Sequence, residues 1–170
     1  MARESCTGLF SIQILPSSRI RVVFLYFEYM KKDKPRVTGI GGIFFQSANP
    51  DELKNWYKNK LGLDTDQWGT NFEWFQGSDP SKKGFTQWSP FSEKSNNLDP
   101  SSKGFMINYR VVHLDKLLEH LKDQGVTILD EVETLEYGKF VHILDNEGNK
   151  IELWEPRDEE YDKIVEGRTK

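Results

Sequence analysis

"FMINYRVVHLDKLLEHLKDQGV" occupies residues 105–126 and changes its periodicity halfway along. From Phe105 to Val112 the apolar Ile107, Tyr109 and Val111 alternate with Met106, Asn108 and Arg110, which is the period of a strand with two unlike faces. Beyond His113 the spacing becomes helical. Leu114, Leu117, Leu118 and Leu121 fall on one side, and Gly125 stands where a helix would stop. The stretch therefore predicts a strand followed directly by an amphipathic helix.

The same order occurs earlier in the chain. "TGIGGIFFQ" (38–46) reads as a strand, Asn49 and Pro50 as a turn, and "DELKNWYKNKLGL" (51–63) as a helix. In that helix Leu53, Trp56, Tyr57 and Leu61 share a face, Asp51 and Glu52 sit at the positive N-terminal end, and Gly62 is the stop. A constant offset of 64 pairs Gly42 with Met106, Leu53 with Leu117 and Tyr57 with Leu121. Further strands follow each helix. They are "NFEWF" (71–75) and "GFTQW" (84–88) in the first half, and "VTILDEV" (126–132), "KFVHIL" (139–144) and "KIELW" (150–154) in the second. The turn signal "DNEGN" joins the last two.

The predicted fold class is α+β, with two βαβββ modules forming a curved, mixed sheet that helices cover and that encloses a cavity between the modules. Module one spans 37–91, a polar linker 92–104, and module two 105–156, all within one domain of 37–156. "SDPSKKGF" and "SPFSEKSNNLDPSSKGF" read as polar connecting loops, placed where cavity-mouth loops carry specificity. Residues 157–170 read as a charged C-terminal tail, solvated or shortly helical. Residues 1–36 read as an N-terminal extension, poorly ordered or preceding the native start, because Met30 and the following "KKDKPRVTGI" look like a beginning of their own; a docking strand or a membrane-surface anchor is the alternative. Their longest apolar run, "VVFLYF", is far below the roughly 20 residues that span a bilayer.

With 170 residues the chain suits a single core. A formal charge of −4, with lysines scattered among acids, gives no reason to expect nucleic acid as a partner, and no membrane partner is expected. The single cysteine, Cys6, cannot form an intramolecular disulfide, which suits a cytoplasmic location.

The repeat, together with "WYKNKLGL" (56–63), "NYRVVHLDKLLEHLKDQGV" (108–126) and "YGKFVHILDNEGNKIELWEP" (137–156), resembles the vicinal oxygen chelate superfamily: glyoxalase I, bleomycin and fosfomycin resistance proteins, and extradiol dioxygenases. The resemblance covers about 37–156. It implies a site between the modules, frequent homodimers, and a divalent ion that polarises substrate oxygens. The implied ligand positions fall on Gly42, Met106, Glu152 and one of Gln87 or Trp88. Glu152 matches well, Gln87 could coordinate only weakly, and Gly42 and Met106 are unsuited to a hard cation. The expected cofactor is therefore none, with one divalent ion as the alternative.

Three histidines remain to be placed. His113 lies at a strand-to-helix junction and His120 flanks the apolar helix face, where each has an ordinary structural role. His142, sharing a strand face with Phe140 and Leu144, is either a polar strand position or a catalytic acid or base beside Glu152. Strand alternation sends Glu152, Lys150 and Trp154 inward, with Met106, Asn108, Arg110, Gly42, Phe44 and Gln46, while Trp74 and Trp88 join the lining or the core, and Gln87 is expected beside the ligand at the position that the resemblance assigns. An Arg110–Glu152 ion pair would keep the carboxylate charged. The expectation is a small organic molecule, flat or apolar, bound with or without catalysis. The alternatives are a metal-dependent lyase or dioxygenase, and a non-enzymatic dimeric barrel filled by side chains.

Overall fold

The computed structural model describes residues 34–168, so the expectation for the N-terminal extension falls, but for its last three positions, outside the described residues. Module one comprises β1 (Arg36–Ser47), α1 (Pro50–Leu61), β2 (Thr70–Gln76) and β3 (Asp79–Ser92). Module two comprises β4 (Phe105–Val112), α2 (Leu114–Asp123), β5 (Thr127–Ile128), β6 (Glu133–Leu135), β7 (Gly138–Leu144) and β8 (Lys150–Pro156), followed by α3 (Asp158–Val165). The strands form one mixed sheet in the order β2-β3-β1-β4-β8-β7-β5, with β6 on β7, and it does not close into a barrel. This is the predicted α+β architecture.

The helices begin and end for local reasons. Asn49 caps α1 by accepting from Glu52 N at 3.2 Å, while Glu52 Oε2 accepts from Asn49 Nδ2, and Gly62 takes the left-handed φ of 69° that ends it. Helix α2 starts at His113, whose φ is 58° and whose side chain makes no capping bond; its backbone N–H donates to Glu155 Oε1 instead. The two helices bury unlike amounts. Leu114 and Leu118 of α2 join Val111, Val141, Ile143 and Leu153 in a core cluster, with Tyr109 and Ile151 packed against it. In α1 no residue is fully buried, and Trp56 and Leu61 stand exposed. The offset repeat thus yields equivalent elements of unequal packing.

Three segments differ from the sequence expectation. "SDPSKKGF" is not a loop over most of its length, because Asp79 already pairs with Gln76 and opens β3. "VTILDEV" keeps only Thr127 and Ile128 in the ladder, since the Asp130 carboxylate leaves it to accept from the His142 backbone N–H at 2.8 Å. The C-terminal segment takes the short-helix alternative and is partly packed: Val165 of α3 is 1% exposed, while Arg157, Glu159, Lys163 and Glu166 stay exposed. Its Asp158 makes two bonds to Arg110 Nη2, at 2.6 and 2.7 Å, and Tyr161 packs on Phe85 and Trp154. Charge made this segment read as surface, but two of its acids, Asp158 and Asp162, pair with Arg110 and Lys83 of the sheet. No helix among the described residues is long and apolar enough to cross a membrane.

Candidate functional site

Register places one polar row across six strands. Asn71 of β2 lies opposite Gln87 of β3, Gln87 opposite Gly42 of β1, and Gly42 opposite Asn108 of β4. Asn108 then lies opposite Glu152 of β8, and Glu152 opposite His142 of β7. Sequence spacing placed Met106 at module two's equivalent of Gly42, but across the strands Met106 faces Phe44, two residues along from this row.

Above the row is a cavity of about 380 Å³. Phe44, Gln87, Asn108, Glu152 and Trp154 line it, as expected. Of the other residues expected to line it, Gly42 stays in the row beneath, Gln46 stands outside the lining, Lys150 gives its Nζ to Asn97 O, and four more lie elsewhere. Trp88 turns to the opposite face, with its ring 4.8 Å from Tyr57 and 5.4 Å from Phe45, beneath α1. Met106 is buried without reaching the cavity wall. Arg110 is buried between the rings of Trp74 and Trp154, at 5.4 and 5.1 Å from their centres, so Trp74 serves the guanidinium, not the cavity. Arg110 pairs with Asp158 and not with Glu152.

The remaining walls come from residues that sequence reasoning did not select. Ser89 and Phe91 continue the alternation of Gln87 along β3 and were legible by period alone. Phe140 was visible as a face-mate of His142. Tyr137, Trp68 and the Tyr161, Ile164, Val165 and Arg168 group of the C-terminal segment carry no such local signal. Gly41 lines the floor because β1 is irregular between Ile40 and Gly42; a Cβ there would come within 2.2 Å of Asn108 Oδ1.

Polar contacts on the floor are directional. Asn108 Nδ2 donates to Glu152 Oε1 at 2.7 Å, leaving Asn108 Oδ1 buried without a hydrogen-bond donor. Glu152 Oε2 lies 3.4 Å from His142 Nε2, and His142 Nδ1 lies 2.6 Å from Asp130 Oδ2. An imidazole is thus held between two carboxylates. Burial works against its charged form, but bonding and attraction to Glu152, then the bond to Asp130, outweigh that and raise its pKa above the usual histidine value. Tyr161 donates to Asn71 Oδ1 at 2.9 Å, and burial pushes its phenol up to about 12, so it is a neutral donor at physiological pH. Tyr137 is also raised, by burial and by the charges of Glu133 and Glu152.

At the positions that the resemblance assigns to a divalent ion, Gly42 has no side chain, Met106 offers a buried thioether, and Gln87 gives its amide N–H to Trp68 O at 2.8 Å. Glu152 is the one carboxylate among them. His120 lies on α2, away from this row, and His113 serves the helix start.

Residues 39–153 match the sequence model of the Glyoxalase/Bleomycin resistance protein/Dioxygenase superfamily. Among solved structures, a variant of Streptomyces coelicolor methylmalonyl-CoA epimerase in complex with 2-nitronate-propionyl-CoA is similar, at 16% identity and TM-score 0.54, covering 72% of this chain and 99% of that one. Methylmalonyl-CoA epimerase from Mycobacterium tuberculosis is 23% identical with TM-score 0.49, covering 72% of this chain and 91% of that one. A superfamily member from Vibrio splendidus is 11% identical with TM-score 0.45, covering 72% and 99%. A search of curated protein sequences finds no match.

Proposed function

This chain belongs to the glyoxalase/bleomycin resistance protein/dioxygenase superfamily, and we propose that it binds a small organic molecule in the cavity between its modules without a resident divalent ion. The observation that carries this reading is the cavity itself, about 380 Å³, with aromatic walls above one carboxylate and its amide partner. That volume is within the range of small-molecule sites, and a sheet left open around it is a poor match for a barrel filled by side chains. The donor set supports the absence of a resident ion. A hard divalent cation takes several oxygen or imidazole donors with open positions, and a glycine, a thioether, a committed amide and one carboxylate do not fit one.

Within this reading Glu152 contacts the ligand, and His142 sets where the carboxylate points. If the bound molecule offers a proton, Glu152 is placed to accept it and His142, backed by Asp130, to stabilise the charge that results. The reading includes a cytoplasmic protein that pairs as a homodimer, for which the exposed Val37, Ile40 and Ile43 of β1 supply apolar surface. Light scattering checks the pairing.

A thermal-shift screen of flat aromatic compounds against the full chain, with Glu152→Gln in parallel, tests the main claim. A ligand that binds the native state raises the melting temperature, and the variant should lose most of that rise. A complete absence of ligands sinks the binding reading. A stoichiometric ion captured on titration with nickel, manganese or zinc sinks the metal-free part and favours the lyase or dioxygenase alternative.

A further inference from the structure

The chemistry left unsatisfied around the cavity specifies its occupant more narrowly than its shape does. Glu152 only accepts, so Asn108 must turn its Nδ2 toward it, and Asn108 Oδ1 is thereby fixed as an acceptor against Gly41 with no protein donor. Three donors along the cavity are already committed. Gln87 Nε2 bonds Trp68 O, Tyr161 bonds Asn71 Oδ1, and Trp154 Nε1 bonds Tyr137 O at 3.3 Å. Arg168 at the cavity wall is matched by Asp66. Among the described residues three buried side-chain atoms have no partner, the acceptor Asn108 Oδ1 and the donors Asn71 Nδ2 and Arg110 Nη1; only Asn108 lines the cavity, so the unused capacity on its floor is acceptor capacity.

Charge points the same way. Asp130 and Glu152 set two carboxylates against the His142 imidazole, and Lys150, the cation whose charge also reaches that ring, gives its Nζ to Asn97 O. The walls suit a cation as well. Each module contributes a stacked aromatic pair, Phe44 with Phe91 at 5.2 Å and Phe140 with Trp154 at 5.7 Å, and π faces attract positive charge.

We infer that the occupant is an aromatic molecule carrying a protonated nitrogen, whose N–H groups are accepted by the Glu152 carboxylate and Asn108 Oδ1 while its ring packs among the aromatic walls. This rests on the small-molecule reading above and adds the sign and hydrogen-bonding sense of the ligand. A neutral or anionic isostere of the same shape would leave Asn108 Oδ1 unpaired or face the Glu152 carboxylate, and leaving such groups unmet is where discrimination is large.

Three probes of one shape separate the possibilities: naphthylmethylamine, naphthylmethanol and naphthoate, titrated calorimetrically into the unmodified full chain. The amine is expected to bind about tenfold or more tightly than the alcohol, with naphthoate weakest, as a charge-assisted bond implies. In Glu152→Gln the amine should fall to the affinity of the alcohol. Equal binding of amine and alcohol, or preference for naphthoate, overturns the inference while leaving a small-molecule site standing. Failure of all three to bind a protein that melts normally overturns both. The ranking on unmodified protein decides the matter even if the variant folds poorly.

Discussion

The joint between α3 and the sheet gives the most demanding prediction. Arg110 is 2% exposed, and its charge is met by Asp158 at 2.6 and 2.7 Å and by the faces of Trp74 and Trp154, while its Nη1 has no partner. Asp158→Ala strands that guanidinium in an apolar sandwich. Breaking a buried pair by removing one partner costs about 3–5 kcal/mol. Here the lower end applies, because the Asp158 side chain is 27% exposed and the two indoles continue to stabilise the cation. Loss of an acidic residue from the first turn of α3 adds roughly 0.5 kcal/mol. The sum is about 3.5 kcal/mol, or a fall of roughly 7–14 °C in Tm for a domain of this size. Urea unfolding followed by tryptophan fluorescence measures it. The companion Arg110→Met/Asp158→Ala protein removes the buried charge and should recover most of the loss, since an apolar pair of similar volume is tolerated where a lone charge is not. A cost below about 1 kcal/mol for the single variant, or no recovery in the double one, would refute the account of α3 as an element clamped by this pair.

Two further outcomes follow from the floor of the cavity. His142 has a folded pKa above its usual 6.5, so its contribution to stability is fully present below that value and is lost as pH rises through the raised folded value. His142→Gln should therefore flatten the loss of stability on going from mildly acidic to mildly alkaline pH, and an imidazole NMR titration with its midpoint below 6.5 would contradict it. Gly41→Ala places a Cβ 2.2 Å from Asn108 Oδ1 and 2.7 Å from Trp154, so overpacking should cost about 1–3 kcal/mol and shrink the cavity. Wild-type melting together with unchanged ligand binding in that variant would show that the floor yields more freely than described.

The sequence by itself determined the repeat, the fold class and the faces of the strands. A period of two in "FMINYRVV" and "KIELWEP" and a helical period in "HLDKLLEHL" are local properties, written into side-chain order wherever the segment packs. It therefore located Glu152, Asn108, Phe44 and Trp154 on the inner face. Tertiary structure decided what each of these touches. Register across separate strands set His142 and Asn108 beside Glu152, and an irregularity in β1 brought Gly41 to the floor. The largest gap concerned the C-terminal segment. "RDEEYDKIVEGRTK" is polar enough to read as solvated, yet Arg110, Lys83 and Gln76, all distant in sequence, donate to its acids and let Tyr161 and Val165 close the cavity. Burial of charge depends on finding a partner of opposite sign in space, and composition along the chain does not encode where that partner will be.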